Sequence, residues 1–336
     1  MNLLITGGLG FMGSNMIRYL LKKYQDCTIL NLDKMTYAAN QENLKDISSD
    51  SRYQFVKGDI ADEALIEKVF SDFIPDAVLN YAAESHVDRS IMDPKAFLLT
   101  ATLGTYTLLE AIRKYKTSRF IQISTDEVFG SIEQGSFTEE SCFEPNSPYS
   151  AAKASGDLLC RAYIKTYNLP IIVTHSCNFV GPYQYPEKVI PLFITNLLEG
   201  KKVPLYGDGK NIREWIYTED HCRAIDALLE KGNLGEVYNI GTGQEIQNIE
   251  LTKKILDLIG KGEEMIEPVK DRPGHDRRYS VDSSKLRALG WKNEYSLDMA
   301  LEKTIEWYKT HEDWWKSLKS GEYLEYYNKQ YHNQNQ

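Results

Sequence analysis

The chain is poor in cysteine, with five among 336 residues. Cys27, Cys142, Cys160, Cys177 and Cys222 are scattered, odd in number, and form neither a CxxC pair nor a metal-ligand spacing. That speaks against a disulfide scaffold and a metal site, and the expectation is a reduced cytoplasmic protein with inert thiols. Positive charge is also short: the net charge is −9. Nucleic-acid binders need basic surface, so that class is disfavoured, although a small anion could still bind where bases cluster. No run of ~18 apolar residues occurs, so no membrane span is expected. Residues 1–6 run straight into a glycine turn, with no basic segment ahead of an apolar one, so no signal peptide is expected. No internal repeat is visible.

What is present has the composition of a globular protein, 42% hydrophobic and 26% charged. Short apolar runs alternate with amphipathic stretches through the first half. Strands are expected at 3–6, 28–32, 53–56, 77–81, 120–124 and 171–174. Helices are expected at 11–24, 64–73, 94–115 and 148–167, the first with Met12, Ile17, Leu20 and Leu21 on its apolar face. Such alternation predicts a parallel sheet covered by helices on both faces, with ligands beyond the carboxyl ends of its strands. After residue 176 prolines and glycines become frequent. Strands at 203–206 and 237–240 and helices at 190–198, 221–231, 249–259 and 297–311 are expected there.

The stretch "ITGGLGFMGSN" sets Gly7, Gly10 and Gly13 three apart, between the first strand and the first helix. Glycine allows the tight turn and lets backbone N–H groups approach a pyrophosphate at the helix N-terminus. Asp33 lies at the end of the second strand, where a carboxylate accepts from an adenosine ribose and disfavours a 2′-phosphate. Together they point to a dinucleotide site with NAD favoured over NADP. The fold class is accordingly α/β: a Rossmann-type doubly wound parallel sheet with a smaller mixed α/β substrate-binding domain. The expected division is 1–176 for the NAD-binding domain, with a returning segment near 210–243. Residues 177–320 make the smaller domain and 321–336 a polar, frayed tail.

"PYSAAKASG" carries Tyr149 and Lys153 at i and i+4 near the start of a helix, on one face. A nearby ammonium favours the phenolate, so this tyrosine could take a proton from an alcohol. Upstream of it in the sequence stands Thr125-Asp126-Glu127, where the apolar strand 120–124 ends. A solvated loop or a turn-capping aspartate would also account for that triplet. A strand's carboxyl end in such a sheet favours a site.

The segments "TGGLGFMGS", "LDKMTYAAN", "AAESHVDRS", "STDEVFG", "PYSAAKAS", "GPYQYPEKVIPL", "IREWIYTEDHCRAI" and "DRPGHDRRYSVD" together resemble the nucleotide-sugar 4,6-dehydratases. These belong to the extended short-chain dehydrogenase/reductase family, and the likeness is strongest to those acting on dTDP-glucose. It covers roughly residues 1–310. It implies that Tyr149 takes the proton of the sugar 4-hydroxyl as NAD takes the C4 hydride. Glu127 then removes the acidified C5 proton, and protonated Asp126 assists loss of the C6 hydroxyl, with Thr125 bonding the 4-oxygen and Lys153 completing the catalytic set. Adjacent carboxylates suit this because repulsion and burial push their pKa values apart. The resemblance further implies a cofactor site of Gly7, Gly10, Phe11, Met12, Gly13, Asp33, Lys34, Met35, Thr36, Asp59, Ile60, Ala82, Ala83, Thr100, Tyr149, Lys153 and Phe179. For the nucleotide sugar it implies Ser85, Asn178, Lys188, Val189, Pro204, Leu205, Tyr206, Arg213, Asn248, Arg272 and His275, beside Thr125, Asp126 and Glu127. Arginine forks match diphosphate oxygens independently of any family. At least one of Arg277 and Arg278 is expected to pair instead with Asp271, Asp276 or Asp282. His86 and Asp88 read as loop-fixing residues rather than catalysts.

Two departures from the family pattern stand out. Phe179 and Val180 replace a polar residue and an aromatic, which puts sugar or nicotinamide contacts in question, and Phe129 replaces a tyrosine. Helices 94–115 and 148–167 are apolar on more than one side, which suggests a subunit interface; in the family these helices pair in a homodimer. Rival readings are a dehydratase for a UDP-linked hexose, a 4-epimerase or decarboxylase of the same fold, and a non-catalytic NAD-sensing scaffold.

Overall fold

A computed structural model of the chain describes residues 1–332. Twelve strands are present among them: β1 (Asn2–Thr6), β2 (Thr28–Asp33), β3 (Tyr53–Lys57), β4 (Ala77–Asn80), β5 (Arg119–Thr125), β6 (Ile171–Ser176), β7 (Asn178–Val180), β8 (Val203–Tyr206), β9 (Ile212–Tyr217), β10 (Val237–Ile240), β11 (Glu245–Gln247) and β12 (Ile266–Val269). Seven form one sheet in the order β10-β6-β5-β4-β1-β2-β3, every pair parallel. The strand order reverses between β1 and β4, and the carboxyl ends there open the crevice that such sheets use for ligands.

Alternation along each strand makes the two faces. Leu3, Ile5, Ile29, Leu79, Ile121 and Ile172 pack on one side, with Met16, Ile17 and Leu20 of helix Phe11–Lys23 and Ile225 and Leu228 of helix Thr218–Lys231. Leu4, Leu30, Val78, Phe120 and Ile171 pack on the other, with Phe70, Leu108 and Ile112. Burial on both faces explains the near-continuous apolar runs. Three polar side chains cross this core as a ladder: Thr6 Oγ1 donates to Asn80 Oδ1 at 2.6 Å, and Asn80 Nδ2 donates to Gln122 Oε1 at 2.8 Å.

Helix Pro148–Tyr167 begins where the sequence dictates. Ser147 and Ser150 form a reciprocal capping box and Pro148 sits at the first helical position. The expected single helix over 94–115 is interrupted instead: Lys95–Leu98 runs into a π-helical stretch Leu99–Gly104 and then Thr105–Tyr115. A Cβ on Gly156 would lie 2.7 Å from Ala101 O, so this crossing depends on a glycine.

The remaining strands make a three-stranded sheet β11-β9-β7 and a pair β12-β8, over a separate core that includes Leu192, Phe193, Trp215, Leu251, Leu301, Tyr308 and Trp315. Of the segment 210–243, only β10 joins the large sheet; β9 belongs to the three-stranded one. The expectation of a frayed tail is corrected. Helices Glu322–Tyr327 and Asn328–His332 follow, with Tyr323, Tyr326 and Gln330 buried; the last four residues, 333–336, lie outside the described residues. No described helix is long and apolar enough to cross a membrane.

Candidate active site

A cleft runs along the carboxyl ends of β1, β2, β4 and β5, and the glycine turn forms one end of it. Gly7 has φ +69°, and its N–H donates to Leu32 O at 2.8 Å. A Cβ there would meet the Ala82 backbone at 2.8 Å. Gly10 caps helix Phe11–Lys23 without a side-chain bond, which leaves first-turn N–H groups facing the cleft for an anion. A Cβ on Gly13 would lie 2.3 Å from Gly7 O and 2.7 Å from Gly8 Cα, both backbone atoms that cannot yield unless the turn opens. Gly13→Ala should therefore destabilise the fold by about 1–3 kcal/mol, read as a lowered thermal midpoint.

Asp33 is buried at the end of β2, and its oxygens accept from Leu9 N at 2.9 Å and Met35 N at 2.8 Å. Burial pushes its carboxyl up, and the two N–H groups oppose that. Lys34 pairs with Asp59 at 2.7 Å at the same end. Thr36, Ile60, Ala83 and Thr100 complete the wall. Met35 is not part of it; its φ of +61° turns the chain while its N–H holds Asp33.

At the centre of the cleft stand Thr125, Glu127, Tyr149 and Lys153. Thr125 ends β5, and its hydroxyl accepts from Glu127 N at 3.3 Å, so the chain turns at once into the short 3₁₀ helix Asp126–Phe129. That turn separates the two carboxylates. Glu127 faces the cleft, whereas Asp126 does not line it: it is 1% exposed, with Oδ1 accepting from Thr125 Oγ1 at 3.3 Å and Oδ2 buried without a partner. Burial, then the charges of Glu127 and Glu214, push the Asp126 carboxyl well above the usual range. Burial raises Glu127 as well, but Arg272, Arg213 and Lys188 pull it back. The environments thus order the pair, Asp126 holding its proton and Glu127 giving it up more readily.

The expected lowering of Tyr149 by Lys153 is not what the geometry gives. Burial and then the Glu127 charge push the phenol up, with the Thr125 hydroxyl acting against them. Lys153 Nζ donates to Ile123 O at 2.6 Å, and burial lowers its pKa while Asp157 raises it.

Of the remaining sequence-derived positions, Ser85, Asn178, Lys188, Val189 and Phe179 line the cleft. Lys188 donates to Ser85 O. Pro204, Leu205, Tyr206, Arg213, Asn248, Arg272 and His275 do not line it; of these, Tyr206, Arg213, Arg272 and His275 form an adjoining cluster. Within that cluster Arg213 lies 4.1 Å over the Tyr279 ring and donates to Asp276 O at 2.9 Å, and Arg272 donates to Asp88 Oδ1 at 2.9 Å. His275 Nδ1 donates to Asp271 Oδ1 at 2.6 Å; burial and then Arg272 push its pKa down to about 4. Asn248 opens helix Asn248–Ile259. Both Arg277 and Arg278 are structural pairs, but to Asp208 and Glu245 at 2.9 and 2.6 Å rather than to the neighbouring aspartates of the sequence. His86 caps helix Val87–Met92 by accepting from Asp88 N, as a loop-fixing residue would.

The departures settle differently. Val180 is fully buried in the second core and away from the cleft, while Phe179 lies against Phe11 and His221 in its wall. Phe129 is packed among Phe137, Phe143 and His175, where a hydroxyl would need a partner. Sequence reasoning missed Glu187, which lines the cleft and holds Arg89 at 2.9 Å and the Tyr37 hydroxyl at 2.7 Å, and missed the buried Glu214, whose charge raises Asp126. Neither sits in a spacing that marks a site.

Comparison with known proteins agrees with this geometry. Residues 4–304 match the family described as GDP-mannose 4,6 dehydratase. The dTDP-glucose 4,6-dehydratase of Salmonella typhimurium is 47% identical over 98% of this chain and 99% of its own. The low-salt glycan biosynthesis protein Agl12 of Haloferax volcanii is 49% identical over 92% and 98%. Among solved structures, DesIV of Streptomyces venezuelae, a dTDP-glucose 4,6-dehydratase with NAD bound, superposes with a TM-score of 0.92 at 48% identity, covering 95% of this chain and all of that one. A UDP-glucose 4-epimerase of Thermotoga maritima gives 0.85 at 31% identity, over 92% and 99%. With a matched family over nine-tenths of its length and relatives near half identity, the chain belongs to the nucleotide-sugar 4,6-dehydratases of the extended short-chain dehydrogenase/reductase family.

Proposed function

We propose that the protein is an NAD-dependent hydro-lyase that converts dTDP-glucose to its 4-keto-6-deoxy product. The observation that carries this reading is the ordered pair Asp126 and Glu127 at the end of β5, beside Tyr149. An epimerase has no need of a second acid and base at C5 and C6.

The glycine cradle, the uncapped helix start and Asp33 fit a dinucleotide: there is room only for backbone at Gly7, and a carboxylate at the ribose end. NAD held there would take a hydride from the sugar and later return one. The chain's own groups handle the protons. Tyr149, ionised to the phenolate, receives the proton of the 4-hydroxyl while Thr125 steadies that oxygen. Glu127 takes the C5 proton. Asp126 gives a proton to the departing C6 oxygen, which requires a rotamer that aims its unpartnered Oδ2 into the cleft. The diphosphate meets Arg213, Arg272 and Lys188, whose charges converge on Glu127. Pro204–Tyr206, Asn248, Asn178 and His275 surround the nucleotide.

We assign the working form as a cytoplasmic homodimer. Support comes from Leu98, Leu99, Leu103, Tyr106 and Leu158, apolar and exposed together on the helices 94–115 and 148–167, and from five cysteines without disulfides.

Incubation with dTDP-glucose, UDP-glucose and UDP-N-acetylglucosamine, followed by mass spectrometry, tests the reading. Loss of one water from dTDP-glucose, fastest of the three, is expected; retention of the C6 oxygen would overturn it. Arg213→Lys should raise the Michaelis constant about tenfold, because a point charge cannot replace the fork. Arg277→Ala should leave it unchanged, since that side chain is exposed and spent on Asp208.

A further inference from the structure

Asp88 is buried and lies outside the cleft wall, yet it receives four donors from three parts of the chain. Arg272 donates to Oδ1 at 2.9 Å. Oδ2 accepts from the Tyr206 hydroxyl at 3.0 Å and from the Tyr326 hydroxyl and Gln330 Nε2 at 3.4 Å each. Gln330 Nε2 also donates to the Tyr206 hydroxyl at 2.7 Å.

The directions of these bonds are fixed. His86 Nδ1 accepts from Asp88 N at 3.3 Å, so the ring proton sits on Nε2, and burial lowers the imidazole pKa. That nitrogen faces the Tyr326 hydroxyl at 3.2 Å, which leaves the tyrosine free to donate to Asp88. The Arg89 guanidinium covers the Tyr326 ring at 4.6 Å, and the Tyr331 ring lies against Tyr206. Tyr326 and Gln330 of segment 326–331 therefore close over Asp88, with Tyr331 behind Tyr206, and Asp88 in turn fixes Arg272 and Tyr206.

We propose that Asp88 is a positioning residue for Arg272 and Tyr206, and that segment 326–331 locks it so that the site presents a preformed pocket to a nucleoside diphosphate. This rests on the reading above, in which Arg272 and Tyr206 meet the nucleotide. The energetic sense is preorganisation. An arginine already held by a buried carboxylate loses little freedom when a diphosphate arrives.

Calorimetric titration with dTDP tests the proposal without depending on turnover. Asp88→Asn, which keeps the shape and removes the charge, should weaken dTDP binding about tenfold, and Gln330→Ala several-fold. NAD affinity and kcat should stay within about twofold, with the Michaelis constant for the sugar nucleotide rising alongside the dTDP constant. A general loss of structure would instead lower the melting temperature and both affinities together. Unchanged dTDP binding in folded Asp88→Asn and Gln330→Ala, or no dTDP binding by the unsubstituted protein, would overturn the proposal. Tight dTDP binding without dehydration of dTDP-glucose would leave it standing and sink the proposed function instead. Tyr326→Phe, which removes one hydroxyl from a ring that stays packed, supplies the decision if Asp88→Asn does not fold.

Discussion

Tyr149→Phe should slow dehydration of dTDP-glucose by about 10²–10⁴-fold, the usual worth of a positioned proton acceptor, with little change in sugar-nucleotide binding. The substitution is mild for the fold. Tyr149 N donates to Ser90 Oγ at 3.1 Å through the backbone, and the ring meets Phe97 edge-on; phenylalanine keeps both. Only the hydroxyl beside Thr125 is lost. The structure also says how that hydroxyl works. Burial and the Glu127 charge raise the phenol's pKa and the Thr125 hydroxyl lowers it, so Thr125 is the group that eases formation of the phenolate that takes the 4-hydroxyl proton. Thr125→Val should therefore repeat part of the Tyr149→Phe defect, in kcat rather than in the Michaelis constant. Measuring the alkali-absorbing 4-keto product over time separates the cases, and a phenylalanine variant above about a tenth of the original rate would remove Tyr149 from the mechanism.

How much of this was legible beforehand depended on how local each feature is. The glycine turn, Asp33 and the Tyr149–Lys153 pair are fixed by spacing within one strand end or one helix, and the capping box at Ser147 even fixes where that helix starts. The triplet was visible as residue types, but not the way a 3₁₀ turn sends neighbouring carboxylates to different places. β7, β9 and β11 have three to six residues each and exist through pairing with one another, so no periodicity announces them. The partners of Arg277 and Arg278 lie 69 and 33 residues away, and nearer aspartates were the wrong choice. The tail shows the same limit from the other side. Its polar composition concealed Tyr323, Tyr326 and Gln330, whose burial is decided by the groove they meet.

Glu127→Gln tests the chemical step itself and should cost about 10²–10⁴-fold in dehydration. The side chain keeps its shape and loses only its capacity to take a proton. Water labelled with deuterium provides the second readout, since removal and return of the C5 proton write solvent hydrogen into the product. Slow formation of labelled product by Glu127→Gln, against fast formation by the unsubstituted protein, places the loss at C5; full-rate dehydration would reassign the base. The pH dependence follows from the order of the pair. Glu127 must be ionised to act, and burial places its pKa above the ordinary glutamate value, so the rate falls as pH drops through that raised value. Asp126 must be protonated to act, and burial with the charges of Glu127 and Glu214 places it higher still, so the rate falls again above it. Because the two carboxyls interact, both limbs report apparent values, each led by one of them. Glu127→Gln removes the acidic limb and, by taking away a negative neighbour, lowers the alkaline one. Glu214→Gln should lower the alkaline limb alone, because the Glu214 charge raises Asp126 while its own oxygens are held elsewhere, one accepting from Gly243 N at 2.6 Å and the other buried and unpartnered. A three-way comparison of pH profiles thus distinguishes a base at Glu127 from a site in which the two carboxylates share one proton, where both limbs would move together in either variant.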